Sequence, residues 1–142
     1  MNVDADALTA ILANRLSKIV PAGFHVQARD GMLWYSADSG RIAGQAGQYP
    51  GWTSGTFVRD NLEALGDTAD ERIAGVAERA LDELQDFVDE ATHDPWPGRT
   101  SPPRPHAEVR GALLHLWYGE SEIDGEVVLV CEPIPVAQLS ST

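Results

Sequence analysis

THDPWPGRTSPPRPH, residues 92–106, divides the chain into two unlike halves. Proline lacks a backbone N–H and pushes the residue before it out of the helical region. A helix arriving at Thr92 must therefore stop, and the chain must restart beyond Pro105. On the upstream side Thr68 and Glu71 form a capping box. Ile73, Val76, Ala77, Ala80, Leu81, Leu84, Val88 and Ala91 then recur as one helical stripe, with Glu71, Glu78, Asp82, Glu83, Asp86, Asp89 and Glu90 around the rest. That pattern predicts one long amphipathic helix with a solvated acidic face. On the downstream side Ala107–Tyr118 reads as a strand, Gly119–Gly125 as a turn and Glu126–Glu132 as a second strand, closed by Pro133 and Pro135. Val127–Cys131 is apolar at every position, which predicts a strand covered on both faces or central in its sheet. Val136–Leu139 reads as a last short helical turn, and 140–142 as a fraying end.

The N-terminal half opens with Leu8, Ile11, Leu12, Leu16 and Ile19 at helical spacing, and the helix is expected to end before Pro21. Phe24–Arg29 and Met32–Ala37 alternate around Asp30-Gly31, a type I′ hairpin signal. With those two residues as the turn, Phe24, Val26 and Ala28 share a core-facing side with Ala37, Tyr35 and Leu33. His25, Gln27 and Arg29 share the other with Ser36, Trp34 and Met32. Asp38–Gly55 is a glycine-rich loop without a phosphate-binding ending, tilted towards order by Tyr49 and Trp52. Thr56–Val58 reads as a third strand and Arg59–Leu65 as a short helical turn closed by Gly66. The order α-β-β-(β)-α-β-β-(α) is expected to build a single α+β domain over 1–142. Its economical form is one antiparallel sheet of four to five strands with the two main helices packed on one face.

The 142 residues suit one domain that folds without staples. A formal net charge of -12 argues against nucleic acid and against an anionic membrane surface, both of which recruit Lys and Arg. Solubility accounts for the acidity; a basic partner or mimicry of nucleic-acid charge are the sharper readings. Cys131 is the only cysteine, so no intrachain disulfide and no cysteine-rich zinc site exists. Within the apolar run VVLVC it is expected to be a buried, inert thiol. The start of the chain lacks a signal-peptide pattern and no apolar stretch has membrane-spanning length, so a cytoplasmic protein is expected.

His93, Asp94 and His106 flank the proline segment, yet their spacing matches no compact ligand motif, and no metal or cofactor is expected. His93 suits the negative end of the long helix. His115 shares a strand face with Leu113 and Trp117, without a carboxylate on that face of its own strand to make it a general base. No Gly-x-Ser-x-Gly elbow is present, so no catalytic residue is assigned and the reading leans away from an enzyme. The four tryptophans are the better clue. Trp52 and Trp96 read as anchors that pin loops to the sheet, or else as parts of an aromatic surface for a partner. Pro102–Pro105 reads as a stiff connector, with an extended left-handed ligand as the alternative.

Several segments carry a resemblance: VPAGFHV (20–26), GMLWYS (31–36), VRDNLEALGD (58–67), ALDELQDFVDEATHDPWPG (80–98), PRPHAEV (103–109), LHLWYG (114–119) and CEPIP (131–135). Together they resemble a family of small actinobacterial proteins of unknown function, and no activity comes with that likeness. The order of elements also resembles the type III secretion chaperone-like fold. That likeness would imply a sheet used for dimerisation and outer grooves for a client; the long glycine and proline loops depart from it.

The function expected first is therefore a non-enzymatic protein-interaction or chaperone-like module with a protein partner or a homodimeric state. Its surface is expected on the face carrying Trp34, His115 and Trp117, with Trp96 as a lid. A second reading is a small-molecule binder or enzyme, with a pocket between the sheet and the glycine-rich loop and His25, His115 and Arg59 as polar contacts. A third is an immunity-type or nucleic-acid-mimicking protein that acts through its acidic helix.

Overall fold

The computed structural model describes residues 2–38, 52–64, 66–98, 102–120 and 126–140. These residues form an α+β structure: α1 (Ala5–Ser17), β1 (Phe24–Arg29), β2 (Met32–Ala37), β3 (Thr53–Phe57), α2 (Val58–Ala64), α3 (Ala69–Thr92), β4 (Pro105–Arg110), β5 (Leu113–Gly119), β6 (Val127–Val130), β7 (Ile134–Pro135) and a 3-10 turn at Val136–Leu139. Class, element order and antiparallel pairing match the sequence. The strands divide, however, between two sheets rather than joining in one. β1-β2-β3 makes the first; β4, β5, β6 and β7 make the second.

The first hairpin has the expected register, Phe24 opposite Ala37 and Arg29 opposite Met32. Asp30 and Gly31 both hold positive φ, 55° and 75°, as a type I′ turn requires. The second half departs from expectation. Ala107–Tyr118 is not one strand: Gly111 and Ala112 turn with φ 56° and 65°, and β4 folds back on β5. A glycine permits that turn, but nothing in an alanine announces it. The run Val127–Cys131 is not central either. β6 lies at an edge with Val128 and Val130 exposed, while Leu129 and Cys131 face inward. β6 and β7 occupy the same side of β5, one after the other. One extra residue between Cys131 and Ile134 makes a bulge there. The Arg15 guanidinium donates to the bulge carbonyls of Glu132 (3.1 Å) and Pro133 (3.4 Å), tying α1 to the second sheet.

α1 starts on the Asp4 carboxylate, which accepts from the Ala7 N–H. It ends at Ser17, before Pro21 is reached, in a tightened turn where Lys18 and Ile19 donate to Arg15 and Leu16 carbonyls. Its Leu8, Leu12 and Leu16 are fully buried, and it packs on β1. α3 is capped by Thr68, whose hydroxyl accepts from Glu71 N–H. The Glu71 carboxylate reaches back to Asp67 N–H rather than to the cap residue itself. α3 packs on β2 and β3 with one flank and on β4 and β5 with the other. Phe87 stacks on Tyr35 (5.8 Å) and meets Phe24 edge-on (6.0 Å) in the first sheet. On the opposite flank, the Leu81 carbonyl accepts the Tyr118 hydroxyl of the second sheet. Leu33 and Tyr35 from one sheet and Leu114, Leu116 and Tyr118 from the other thus belong to one core. Gly55 lies flat on the Tyr35 ring, where an added Cβ would overlap the ring. The chain ends meet as well, with Val3 bridged to Ser140 and Asp4 N–H donating to Leu139.

Gln85 is the polar member of the buried side of α3. Its amide donates to the carbonyls of Trp96 (3.2 Å) and Pro103 (2.6 Å), so one side chain clamps both ends of the proline segment. Replacing it by leucine keeps the bulk and leaves two carbonyls without their donor. Gln85→Leu is expected to lower stability in urea unfolding by about 1–3 kcal/mol. An unchanged midpoint would mean that Trp96 packing alone holds the segment.

Candidate functional site

Antiparallel partners point to the same side of a sheet, so register assigns each face. On the second sheet Leu114, Leu116 and Tyr118 turn inward. The open face therefore carries Leu113, His115 and Trp117 of β5, His106, Glu108 and Arg110 of β4, and Val128 and Val130 of β6. Trp117 lies opposite both His106 and Val130. Its ring stacks on His106 at 5.2 Å, and its indole N–H donates to the Glu120 carbonyl. Trp117 is only 6 % exposed. Val130 and Val128 beside it are 48 % and 44 % exposed, and Leu113, beyond His115 on the same strand face, is 36 % exposed. His115 is half-buried opposite Glu108, whose carboxylate pairs with Arg110 at 3.3 Å. The charges on this face are thus partly neutralised within it.

Trp34 does not join this surface. It lies on the open face of the first sheet, where its indole N–H donates to the Arg29 carbonyl and the Arg29 guanidinium sits 4.3 Å above its ring. His25 shares that face; its Nε2 is 3.1 Å from Asp38 Oδ1, and its ring is 6.5 Å from that of Trp52. The shared face expected for Trp34, His115 and Trp117 is therefore divided, because β2 and β5 belong to different sheets. Trp96 is not placed as a lid over that face. It meets Tyr118 edge-on at 5.3 Å, and its backbone N–H donates to the Asp89 carboxylate at 2.8 Å. It anchors the proline segment to the core side of the sheet.

Arg59 projects from α2 beside two shallow grooves, of about 610 Å³ with Asn2, Asp4 and Arg72, and about 460 Å³ with Asp6, Asp30 and Phe57. Neither groove includes His25 or His115, so the three polar contacts expected for a small-molecule pocket do not converge among the described residues. The glycine-rich wall of that pocket falls largely on residues 39–51, outside the described residues. His93 caps α3 in a left-handed conformation and His106 stacks on Trp117. Among the described residues no three His, Cys, Asp or Glu side chains converge to hold a metal ion. Cys131 is buried in the core, and burial pushes its thiol up to about 12 despite the nearby Arg15. No described helix is long and apolar enough to cross a membrane.

The acidic face of α3 is the other distinctive surface. Desolvation, then the carboxylates of Asp82 and Glu90, hold the Asp86 carboxyl above its ordinary value. Desolvation also raises Asp89, although the Trp96 N–H opposes it. No family, curated protein or solved structure matches this chain.

A carboxyl raised by folding binds protons more readily folded than unfolded, so its stability cost is fully present above the folded pKa and fades as pH falls through it. Asp86→Asn removes two like-charge contacts one helical turn away, and is expected to stabilise by about 0.5–1 kcal/mol at neutral pH and low salt. The gain should shrink on mild acidification and in high salt. Thermal melts across pH and ionic strength check this; a gain independent of both would contradict the electrostatic origin.

Proposed function

We propose that this chain is a non-enzymatic protein-interaction module, acting in the cytoplasm, and that it docks through the open face of its second sheet. The observation that carries the reading is the exposed pair Val128 and Val130 beside the Trp117–His106 stack, with Leu113 exposed further along the same face. Aliphatic side chains this exposed, together on one face, leave apolar area in water that a partner would remove. The buried indole gives that surface a rigid floor, and rigid anchors lose little entropy on binding. His115, between Leu113 and Trp117, and the Glu108–Arg110 pair add polar contacts on the same face. A chaperone-like role uses the same surface. A second reading, capture of a basic protein on α3, is favoured by the row of carboxylates along that helix, Glu78, Asp82, Asp86 and Glu90 among them. Binding that weakens steeply with salt would point to α3; weak salt dependence points to the sheet.

Val128→Lys with Val130→Lys places two charges on the apolar surface without touching the core. The double variant is expected to keep its circular dichroism and to lose, by tenfold or more, the retention of proteins held by the immobilised wild-type chain in a cell extract (~1.4 kcal/mol). Equal retention by both chains would remove this face as the docking surface.

A further inference from the structure

We propose that the recess between α3 and β3 is a binding site for a guanidinium group, held by Glu83, Asp86 and Glu90 at its rim and by the Tyr35 hydroxyl at its floor. The site shares no residue with the docking face of the second sheet and goes beyond it. Where the guanidinium belongs to the arginine of another protein, the inference also rests on the reading of α3 as a docking helix.

Helical spacing and sheet packing place these groups together. Glu83, Asp86 and Glu90 stand at i, i+3 and i+7 on α3, which packs on β2 and β3. Neighbours at that spacing are about 5–6 Å apart at Cβ, so the carboxylates form a row rather than a cluster. With Tyr35, Gly55 and Phe87 they line a recess of about 260 Å³. Gly55 lies outside the left-handed region, so its backbone does not call for glycine. A Cβ there would overlap Tyr35 Cε2 and lie 3.0 Å from both Tyr35 Cζ and Glu83 Oε2. A side chain at that position would fill the space where the hydroxyl-bearing end of Tyr35 meets the Glu83 carboxylate.

Two observations point to a ligand that brings positive charge and N–H donors. The first is Tyr35. It is 2 % exposed, and its buried hydroxyl completes no hydrogen bond. Thr56 and Glu83 are its polar neighbours, but Thr56 gives its one hydroxyl hydrogen to Glu83. A buried hydroxyl left in this state destabilises the fold, and a ligand N–H donated to its oxygen removes that cost. The second is the charge of the rim. Arg79 meets the row at Glu83 Oε1, 3.8 Å away, while Glu83 Oε2 is held by Thr56. Further along, desolvation and the charges of Asp82 and Glu90 hold the Asp86 carboxyl above its ordinary value. A cation in the recess would lower that repulsion.

The spacing and the walls decide which cation. Among the described residues no three His, Cys, Asp or Glu side chains converge to hold a metal ion. A metal ion needs its oxygen ligands about 2.0–2.6 Å from one centre. A guanidinium is a planar fork of five N–H donors and bridges acceptors set further apart. The inner wall is aromatic, with Tyr35 and Phe87 stacked at 5.8 Å. Such a wall suits the more weakly hydrated guanidinium over an ammonium, which holds its water tightly.

The test uses the full chain, isotope-labelled, and reads backbone amide shifts on addition of N-acetyl-arginine methylamide, its lysine counterpart or methylguanidinium. The amides of Gly55, Thr56, Glu83, Asp86 and Phe87 are expected to shift saturably with the arginine probe, and more than that of Asp70 at the far end of α3. The lysine counterpart is expected to bind more weakly by about threefold or more. Tyr35→Phe keeps the ring and removes the hydroxyl. It is expected to weaken the arginine probe by about threefold or more, with no fall in the urea midpoint, because no hydrogen bond is lost. A merely structural tyrosine would give the reverse, a lower midpoint and unchanged affinity. Asp86→Asn, at an exposed position, should weaken the probe by a similar factor. Shifts spread evenly over the acidic residues of α3, equal binding of the lysine probe, or unchanged affinity in Tyr35→Phe would overturn the site. A blocked Ala-Arg-Ala peptide separates the sources. Binding at least as tight as that of methylguanidinium assigns the recess to a protein's arginine. A peptide that fails where methylguanidinium binds assigns it to free guanidines, and the α3 docking reading then falls while the site stands.

Discussion

The apolar half of α3 lies between two sheets that, among the described residues, do not pair with each other, and the rest of the described structure is arranged around it. Ile73, Val76, Leu81, Leu84, Phe87 and Val88 are buried along it, and each such side chain contributes about 1.5–3 kcal/mol when removed from water. Surface ion pairs such as Arg79–Glu83 contribute about 0–1 kcal/mol. Packing on the helix, not charge pairing, therefore holds the two sheets in one body. Arg15 and the meeting of Val3 with Ser140 close the far side through α1 and the chain ends.

That arrangement decides which surfaces remain for function. Each sheet gives one face to the helices and leaves the other outward. On the first sheet the outward face is polar and aromatic, with Arg29 over Trp34 and His25 beside Asp38. On the second, Leu113, Val128 and Val130 are exposed beside His106, His115 and the Glu108–Arg110 pair. Eight of the 22 Asp and Glu residues lie along α3.

Much of this was legible in the residues, and the failures have physical causes. Asp30-Gly31 specified the first hairpin because only a few residue types accept two successive positive φ angles. The stripe and cap of α3 were legible because they repeat over many turns. The hairpin at Gly111-Ala112 was missed because an alanine at positive φ is imposed by the surrounding pairing, not by its own preference. The division into two sheets was not legible at all, since strand partners are chosen by long-range packing against α3. Val127–Cys131 misled because an unbroken apolar run cannot distinguish a strand covered on both faces from one at a sheet edge. At the candidate site, His115 and Trp117 were placed together correctly by strand alternation, whereas Trp34 was assigned to them only through the assumption of one sheet. Gln85 was overlooked amid acidic neighbours; its position four residues after Leu81, on the stripe's margin, was the available signal.

The central claim is that two separate sheets share one core through α3. Two single-tryptophan chains test it, one keeping Trp34 in the first sheet and the other Trp117 in the second, with the remaining tryptophans changed to phenylalanine. Followed by fluorescence in urea, each should lose its native signal at the same midpoint as helix loss in that same chain, because neither sheet can keep its core face covered without the helix. A tryptophan signal that persists in either chain after the helical signal has gone would contradict the account.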